Sequence, residues 1–268
     1  MTPERQHREE AVPEQRGAVA RTGHRRLPRD PRFRVGRFLI DTPWVGDAYV
    51  WSRAPLRRRH VDRHTEVVID GFPRSANTYA LYAFELATGG EVVVKGHTHS
   101  AVTVTRAARR QLPTMVMIRD PRDVVASLVQ LAPGLRAGSC FAAYSRYYNA
   151  ILRDGGPVFI ADFVIATRDF GLIMRQFNVF FGSAFPPYDG SEAAERAVRE
   201  RIDDASLRRS GRVREQGVAR PSSTRAHTDD VLRDIDARAR AQMKGAYAAY
   251  QRVRLLSPGV RDPGESRP

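Results

Sequence analysis

Apolar residues along this chain fall into short unbroken runs separated by stretches of helical spacing. Val67-Val68-Ile69, Val92-Val93-Val94, Met115-Val116-Met117-Ile118 and Val158-Phe159-Ile160 are such runs, and each reads as a strand covered on both faces. Between the first two, Tyr79, Tyr82, Ala83 and Leu86 recur at helical spacing and predict a helix over 77–87. Asp120 followed by Pro121 has the order of an N-cap and a first-turn proline, predicting a helix over 121–131. Further helices are predicted over 142–152 and 169–181, and a long amphipathic one over 229–252. Buried strands alternating with helices predict an α/β fold of three layers, a mostly parallel sheet with helices on both faces.

The flanks differ from this core. Residues 1–36 are rich in Arg, Glu, Pro and Gly and poor in large apolar side chains, so they read as a disordered basic tail. Arg25, Arg26, Arg29, Arg32 and Arg34 within it either touch anionic partners or are simply solvated. Residues 37–64 carry Phe38-Leu39-Ile40, Trp44 and Tyr49-Val50-Trp51, too little for a domain, and are expected to dock on the body. The domain itself is assigned to 65–255, with a mobile Arg-, Ser- and Gly-rich segment over 204–228, and 256–268 is a flexible tail.

At 268 residues and 42% hydrophobic, the chain suits one α/β domain with tails. Its net charge of +14 attracts anions: nucleic acid, anionic membrane surfaces, or phosphorylated and sulfated small molecules. Solubility alone is the plain alternative. Cys140 is the single cysteine, which excludes an internal disulfide and a cysteine zinc cluster and fits a reducing compartment. No apolar run approaches the ~20 residues that span a bilayer. The opening residues lack a signal peptide's apolar core. A cytoplasmic protein is expected; its oligomeric state is open.

Two segments carry candidate chemistry. Gly71-Phe72-Pro73-Arg74-Ser75-Ala76-Asn77-Thr78 joins the first strand to the first helix. Amides at such a helix start point outward, and the helix dipole adds positive charge. The Ser75 and Thr78 hydroxyls and the Arg74 cation complete an anion cradle. Against the nucleotide P-loop Gly-x-x-x-x-Gly-Lys-Ser/Thr, Gly71 and Thr78 fit, but Ala76 replaces the second Gly and Asn77 the Lys. That disfavours a magnesium nucleoside triphosphatase. The turn resembles the 5′-phosphosulfate loop of sulfotransferases that use 3′-phosphoadenosine 5′-phosphosulfate (PAPS), whose core is Pro-Lys/Arg-Ser-Gly-x-Thr. Ala76 departs from that core, and its methyl is expected to narrow the approach of backbone to phosphate.

Arg119 ends the third strand and Ser127 lies eight residues on, along the next helix. A guanidinium with a hydroxyl suits a phosphate dianion; alternatively, Arg119 and Arg122 pair with Asp120 and Asp123. The spacing is similar to the 3′-phosphate motif of the same family. The resemblance covers residues 65–165 well and 166–252 loosely. It implies a P-loop NTPase-like fold, PAPS as donor and adenosine 3′,5′-bisphosphate as product. Pro73, Arg74, Ser75, Ala76, Asn77, Thr78, Arg119 and Ser127 would bind the donor, joined by one arginine of a basic late loop that holds Arg208, Arg209, Arg212, Arg214, Arg220 and Arg225, with Arg220 preferred; a solvated loop is the alternative.

Lys95-Gly96-His97-Thr98-His99 follows the second strand, and a neutral His accepts protons near pH 7. A metal site finds no third ligand nearby. In the resembling family a Lys-x-His sequence here carries the general base and an assisting cation, which implies His97 and Lys95, with Arg74 sharing the developing charge and His99 as the spare base. Phe141, Tyr144, Tyr147 and Tyr148 either pack the core or wall the adenine or acceptor. The acceptor is a small molecule, sugar or lipid bearing a hydroxyl or amine, and no metal or nucleic acid is expected. A P-loop-type small-molecule kinase and a basic nucleic-acid-binding protein are the alternatives.

Overall fold

The computed structural model describes residues 29–154, 156–210 and 228–257. Three helices come first: α1 (Arg29–Asp41), α2 (Val45–Ser52) and α3 (Ala54–Arg57). Strand β1 (Val67–Gly71) leads through α4 (Asn77–Ala87) to β2 (Val94–Gly96), and α5 (Ala101–Arg109) leads to β3 (Thr114–Ile118). Helices α6 (Pro121–Leu131) and α7 (Ala137–Asp154) precede β4 (Phe159–Asp162), which runs into α8 (Phe163–Arg168) and α9 (Phe170–Phe181). Then come α10 (Glu192–Ser210), α11 (Thr228–Val231) and α12 (Ala237–Arg254).

The four strands form one sheet in the order β2-β1-β3-β4, with every neighbouring pair parallel. Strand period two sends alternate residues to opposite faces. Met115 and Met117 pack with Ala80, Phe84 and Phe177 on one side, while Val116 and Ile118 pack with Val124 and Tyr144 on the other. Both faces are thus covered by helices, the three-layer α/β arrangement that unbroken apolar strand runs predict. From β1 the chain moves outward to β2, then returns past β1 to β3. The reversal lies between β1 and β3, and the carboxyl ends of such a pair are where open α/β sheets place ligands. Gly71 and Ile118 end these two strands.

Several elements depart from expectation. The second strand begins at Val94, and Val93 is exposed, because β2 is the sheet's edge and only partly covered. The closing helix is broken: Asp236 ends the interruption by accepting from the Ala239 amide and capping α12. Residues 204–210, expected to be mobile, continue α10, and 211–227 lie outside the described residues. Ser257, assigned to the flexible tail, is buried and donates to the Ile160 carbonyl at 3.0 Å. Residues 258–268 are also outside the described set.

The largest correction concerns the tail. It was expected to run disordered to residue 36, yet α1 begins at Arg29; residues 1–28 lie outside the described residues. The reason is a cap given in trans. Asp30 is buried and accepts from the Arg136 amide at 2.9 Å and the Ser139 hydroxyl at 3.0 Å, at the start of α7. Asp30→Ala strips those donors of their acceptor and is expected to cost ~1 kcal/mol. Thermal unfolding followed by circular dichroism then shows a midpoint lower by about 2–4 °C; a solvated tail would give no change.

Candidate functional site

The turn after β1 is tight by construction. A Cβ on Gly71 would lie 2.6 Å from the Met117 carbonyl oxygen and from Asn77 Oδ1, so no larger residue fits. Arg74 and Ala76 then adopt left-handed backbone, φ 74° and 64°, a conformation that costs non-glycine residues ~1 kcal/mol or more. Ala76 stands at the N-cap of α4 and supplies no side-chain acceptor to its first turn. In α6, α8, α9 and α12 an aspartate does so. The α4 start, with its partial positive charge, therefore faces the β1–β3 reversal without a side-chain cap.

Three predicted residues converge here. Arg74 Nε donates to Ser127 Oγ at 2.8 Å, and Arg119 Nη1 donates to the Arg74 carbonyl at 3.2 Å. Arg119 also lies 4.2 Å over the Phe163 ring and 3.7 Å from Asp123. Arg74 bridges Arg119 and Ser127, through its backbone carbonyl and its guanidinium. Behind them, Tyr144 donates to the Arg119 carbonyl at 2.7 Å and Tyr148 to that of Met117 at 2.8 Å. Phe141, Tyr144, Tyr147 and Tyr148 are all buried, so the cluster packs the core and braces the end of β3.

The second loop joins β2 to α5. His97 and His99 both have positive φ, 55° and 57°, and their rings meet edge to face at 4.8 Å. His97 Nε2 lies 3.4 Å from Thr78 Oγ1, which brings it to the start of α4. His99 Nδ1 is 2.9 Å from the Gly71 carbonyl. A carbonyl only accepts, so that nitrogen carries the proton and the ring is tied to the turn.

Not every expected residue arrives. Lys95 lies within β2, and its ammonium contacts the Arg58 carbonyl at 3.1 Å and Asp62 at 3.4 Å, so it is committed to the segment after α3 rather than to the cradle. Ser75 is fully buried with its hydroxyl beside the Tyr148 phenol, so it does not line the cradle as expected. Asn77 is buried and donates to the Gly71 and Phe72 carbonyls at 3.3 and 2.9 Å; it closes the turn from inside. Pro73 is half-buried. Arg220 lies outside the described residues.

Two residues that hold the site escaped sequence reasoning. Asp70, fully buried at the end of β1, accepts from Gly71 N, Thr98 N, Thr98 Oγ1 and His99 N at 2.7–3.0 Å. Arg37 on α1 donates to the His99 carbonyl at 2.6 Å, pairs with Asp41 and lies 5.1 Å over the Phe72 ring. An aspartate ending an apolar strand was a visible signal for the first. Nothing local marks Arg37, whose partner is 62 residues away.

Among the described residues no three His, Cys, Asp or Glu side chains group to hold a metal. No helix there is long and apolar enough to cross a membrane. No family model matches the chain, and no curated protein matches it. Among solved structures, mouse sulfotransferase SULT7A1 complexed with PAP aligns at 11% identity over 72% of this chain and 86% of that one, with a TM-score of 0.35. A likeness that slight assigns no function.

Burial, opposed by its four hydrogen bonds, raises the Asp70 carboxyl from 3.8 to about 6. Between these values the folded protein holds a proton that the unfolded chain has released, so this group's contribution to stability is lost as pH rises through about 4–6 and is constant above. Urea unfolding across that range should show the loss, up to ~3 kcal/mol, and Asp70→Asn should abolish it. The same pH dependence in the variant would remove Asp70 as its source.

Proposed function

We propose that this chain is a PAPS-dependent sulfotransferase acting on a small-molecule, sugar or lipid acceptor that presents a hydroxyl or amine. The observation that carries the reading is the meeting of Arg74, Arg119 and Ser127 where β1 and β3 end, beside the start of α4. Two guanidiniums, one hydroxyl and a helix start without a side-chain cap suit a nucleotide bearing two separate phosphate groups.

PAPS supplies an activated sulfuryl group, and adenosine 3′,5′-bisphosphate leaves. In this reading Arg119 and Ser127 hold the 3′-phosphate. Arg74 and the α4 amides hold the 5′ end and stabilise charge that grows there. Ser127 accepts from Arg74 and keeps its own O–H to donate to the nucleotide. His97, beside Thr78, accepts the proton of the attacking hydroxyl or amine. Lys95 has no part, because its ammonium is held by Asp62 and the Arg58 carbonyl.

A magnesium-dependent kinase is disfavoured. Position 77 offers a buried amide where the P-loop lysine would reach terminal phosphates. The carboxylates at the ends of β1, β3 and β4 are also engaged: Asp70 binds the His loop, and Asp120 and Asp162 cap helices. A nucleic-acid-binding role rests on charge alone.

Adenosine 3′,5′-bisphosphate should raise the melting temperature where ATP with magnesium and an oligonucleotide do not. Arg74→Ala and Arg119→Ala should each weaken that binding about ten- to a hundredfold. His97→Ala should keep the affinity and lose radiolabelled sulfuryl transfer to a panel of sugars, lipids, phenols and aminoglycosides. Stabilisation by ATP with magnesium alone would refute the reading; full transfer by His97→Ala would remove only the base.

A further inference from the structure

The chain has two tryptophans, and both stand on the outside of the α1–α3 segment. Trp44, in the turn between α1 and α2, is 88% exposed, and its backbone has φ 66°. A bulky residue in left-handed backbone is strained. Here the strain serves no packing, since the indole it places is in solvent. Phe38 is 56% exposed, Val35 lies one turn away on the same face of α1, and Val45 and Trp51 are exposed on α2. Elsewhere on the segment the apolar residues turn inward: Ile40, Val50 and Val61 are buried.

The charges sort the same way. Every aspartate between residues 30 and 64 is buried or paired. Asp30 and Asp41 are buried, Asp47 pairs with Arg106 at 2.9 Å and Asp62 with Lys95 at 3.4 Å. Arg37 is buried with Asp41, but Arg32 and Arg34 on α1, and Arg53, Arg57, Arg58 and Arg63 around α3, are exposed. Exposed aromatic and aliphatic side chains on a segment that also exposes arginines match the boundary of an anionic bilayer, where rings enter the acyl edge and guanidiniums meet phosphates. Two other occupants fit less well. The exposed Val35 and Val45 favour an acyl edge over nucleobases, which would stack only on Phe38, Trp44 and Trp51, and a segment with so many exposed arginines repels its own copy across a two-fold axis.

We propose that the α1–α3 segment is a peripheral docking face for anionic phospholipid membranes, with Phe38 and Trp44 entering the headgroup–acyl boundary. The face is independent of sulfuryl transfer, though the segment that carries it touches the site: Arg59 Nη1 lies 3.4 Å from the His97 carbonyl.

The test uses the full chain with vesicles of phosphatidylcholine, alone or mixed with phosphatidylserine. Co-sedimentation is expected only with the mixed vesicles and should weaken with salt. Because both tryptophans are exposed on this segment, intrinsic emission should shift to the blue on binding and be quenched by brominated lipid. Phe38→Ser with Trp44→Ser should lower the partition coefficient about tenfold or more at an unchanged melting temperature. Arg57→Glu with Arg63→Glu should act similarly. Should the variants fail to fold, quenching of the wild-type tryptophans by brominated lipid decides. The proposal is overturned if wild type ignores phosphatidylserine vesicles, if the folded serine variant binds as well as wild type, or if the emission shift follows an oligonucleotide or protein concentration instead of lipid. Binding of adenosine 3′,5′-bisphosphate, measured separately, bears only on the sulfotransferase reading.

Discussion

One buried carboxylate organises the site. Asp70 lies at the end of β1 with no access to water, and ionising it there is costly. Four donors offset that cost, and three of them belong to Thr98 and His99 in the loop after β2. The fourth is the amide of Gly71, which opens the turn between β1 and α4. One side chain thus fixes two loops against each other, and His97 reaches Thr78 because of it. Without that acceptor three amides and a hydroxyl would lose their partner, a heavier loss than any single contact in the cradle.

The N-terminal helices complete the same structure from the other side. Arg37 holds the His99 carbonyl and lies over Phe72, while Asp41 accepts from the Ala101 amide and Ser100 donates to the Ile40 carbonyl. The β2–α5 loop is therefore clamped between β1 and α1. Burial raises the Asp41 carboxyl, while the Arg37 charge beside it acts in the opposite sense. A short segment expected only to dock on the body supplies part of the wall behind the candidate base.

What the sequence revealed follows from the range of each interaction. Strand runs buried on both faces, and a helix opened by Asp120-Pro121, are set by neighbours in the chain, and they appear where expected as β1, β3, β4 and α6. Arg74, Arg119 and Ser127 could be named because strand ends and turn chemistry are local. Their bridging contact, between residues 53 apart, was not legible. Edge position was equally hidden: three valines read as a central strand, but only the sheet order shows that β2 has one neighbour, which leaves Val93 exposed and places Lys95 against Asp62. In α5, Val102-Thr103-Val104-Thr105 alternates like a strand; it forms a buried helix, a choice made by tertiary packing.

Backbone strain concentrates at the candidate site. Among the described residues six non-glycines have positive φ. Four of them, Arg74, Ala76, His97 and His99, lie in the two loops that Asp70 binds together, and a fifth, Trp44, stands exposed between α1 and α2. Each such conformation costs ~1 kcal/mol or more, and persists only where surrounding contacts over-determine it. Around the loops those contacts are visible: the Asp70 donors, the Asn77 amide on the turn carbonyls, the Arg37 bond to His99. A fold that needed only a turn at these places could relieve the strain with glycine, as it does at Gly182. Here it keeps a guanidinium and two imidazoles in strained backbone, so the side chains themselves are what the loops exist to place.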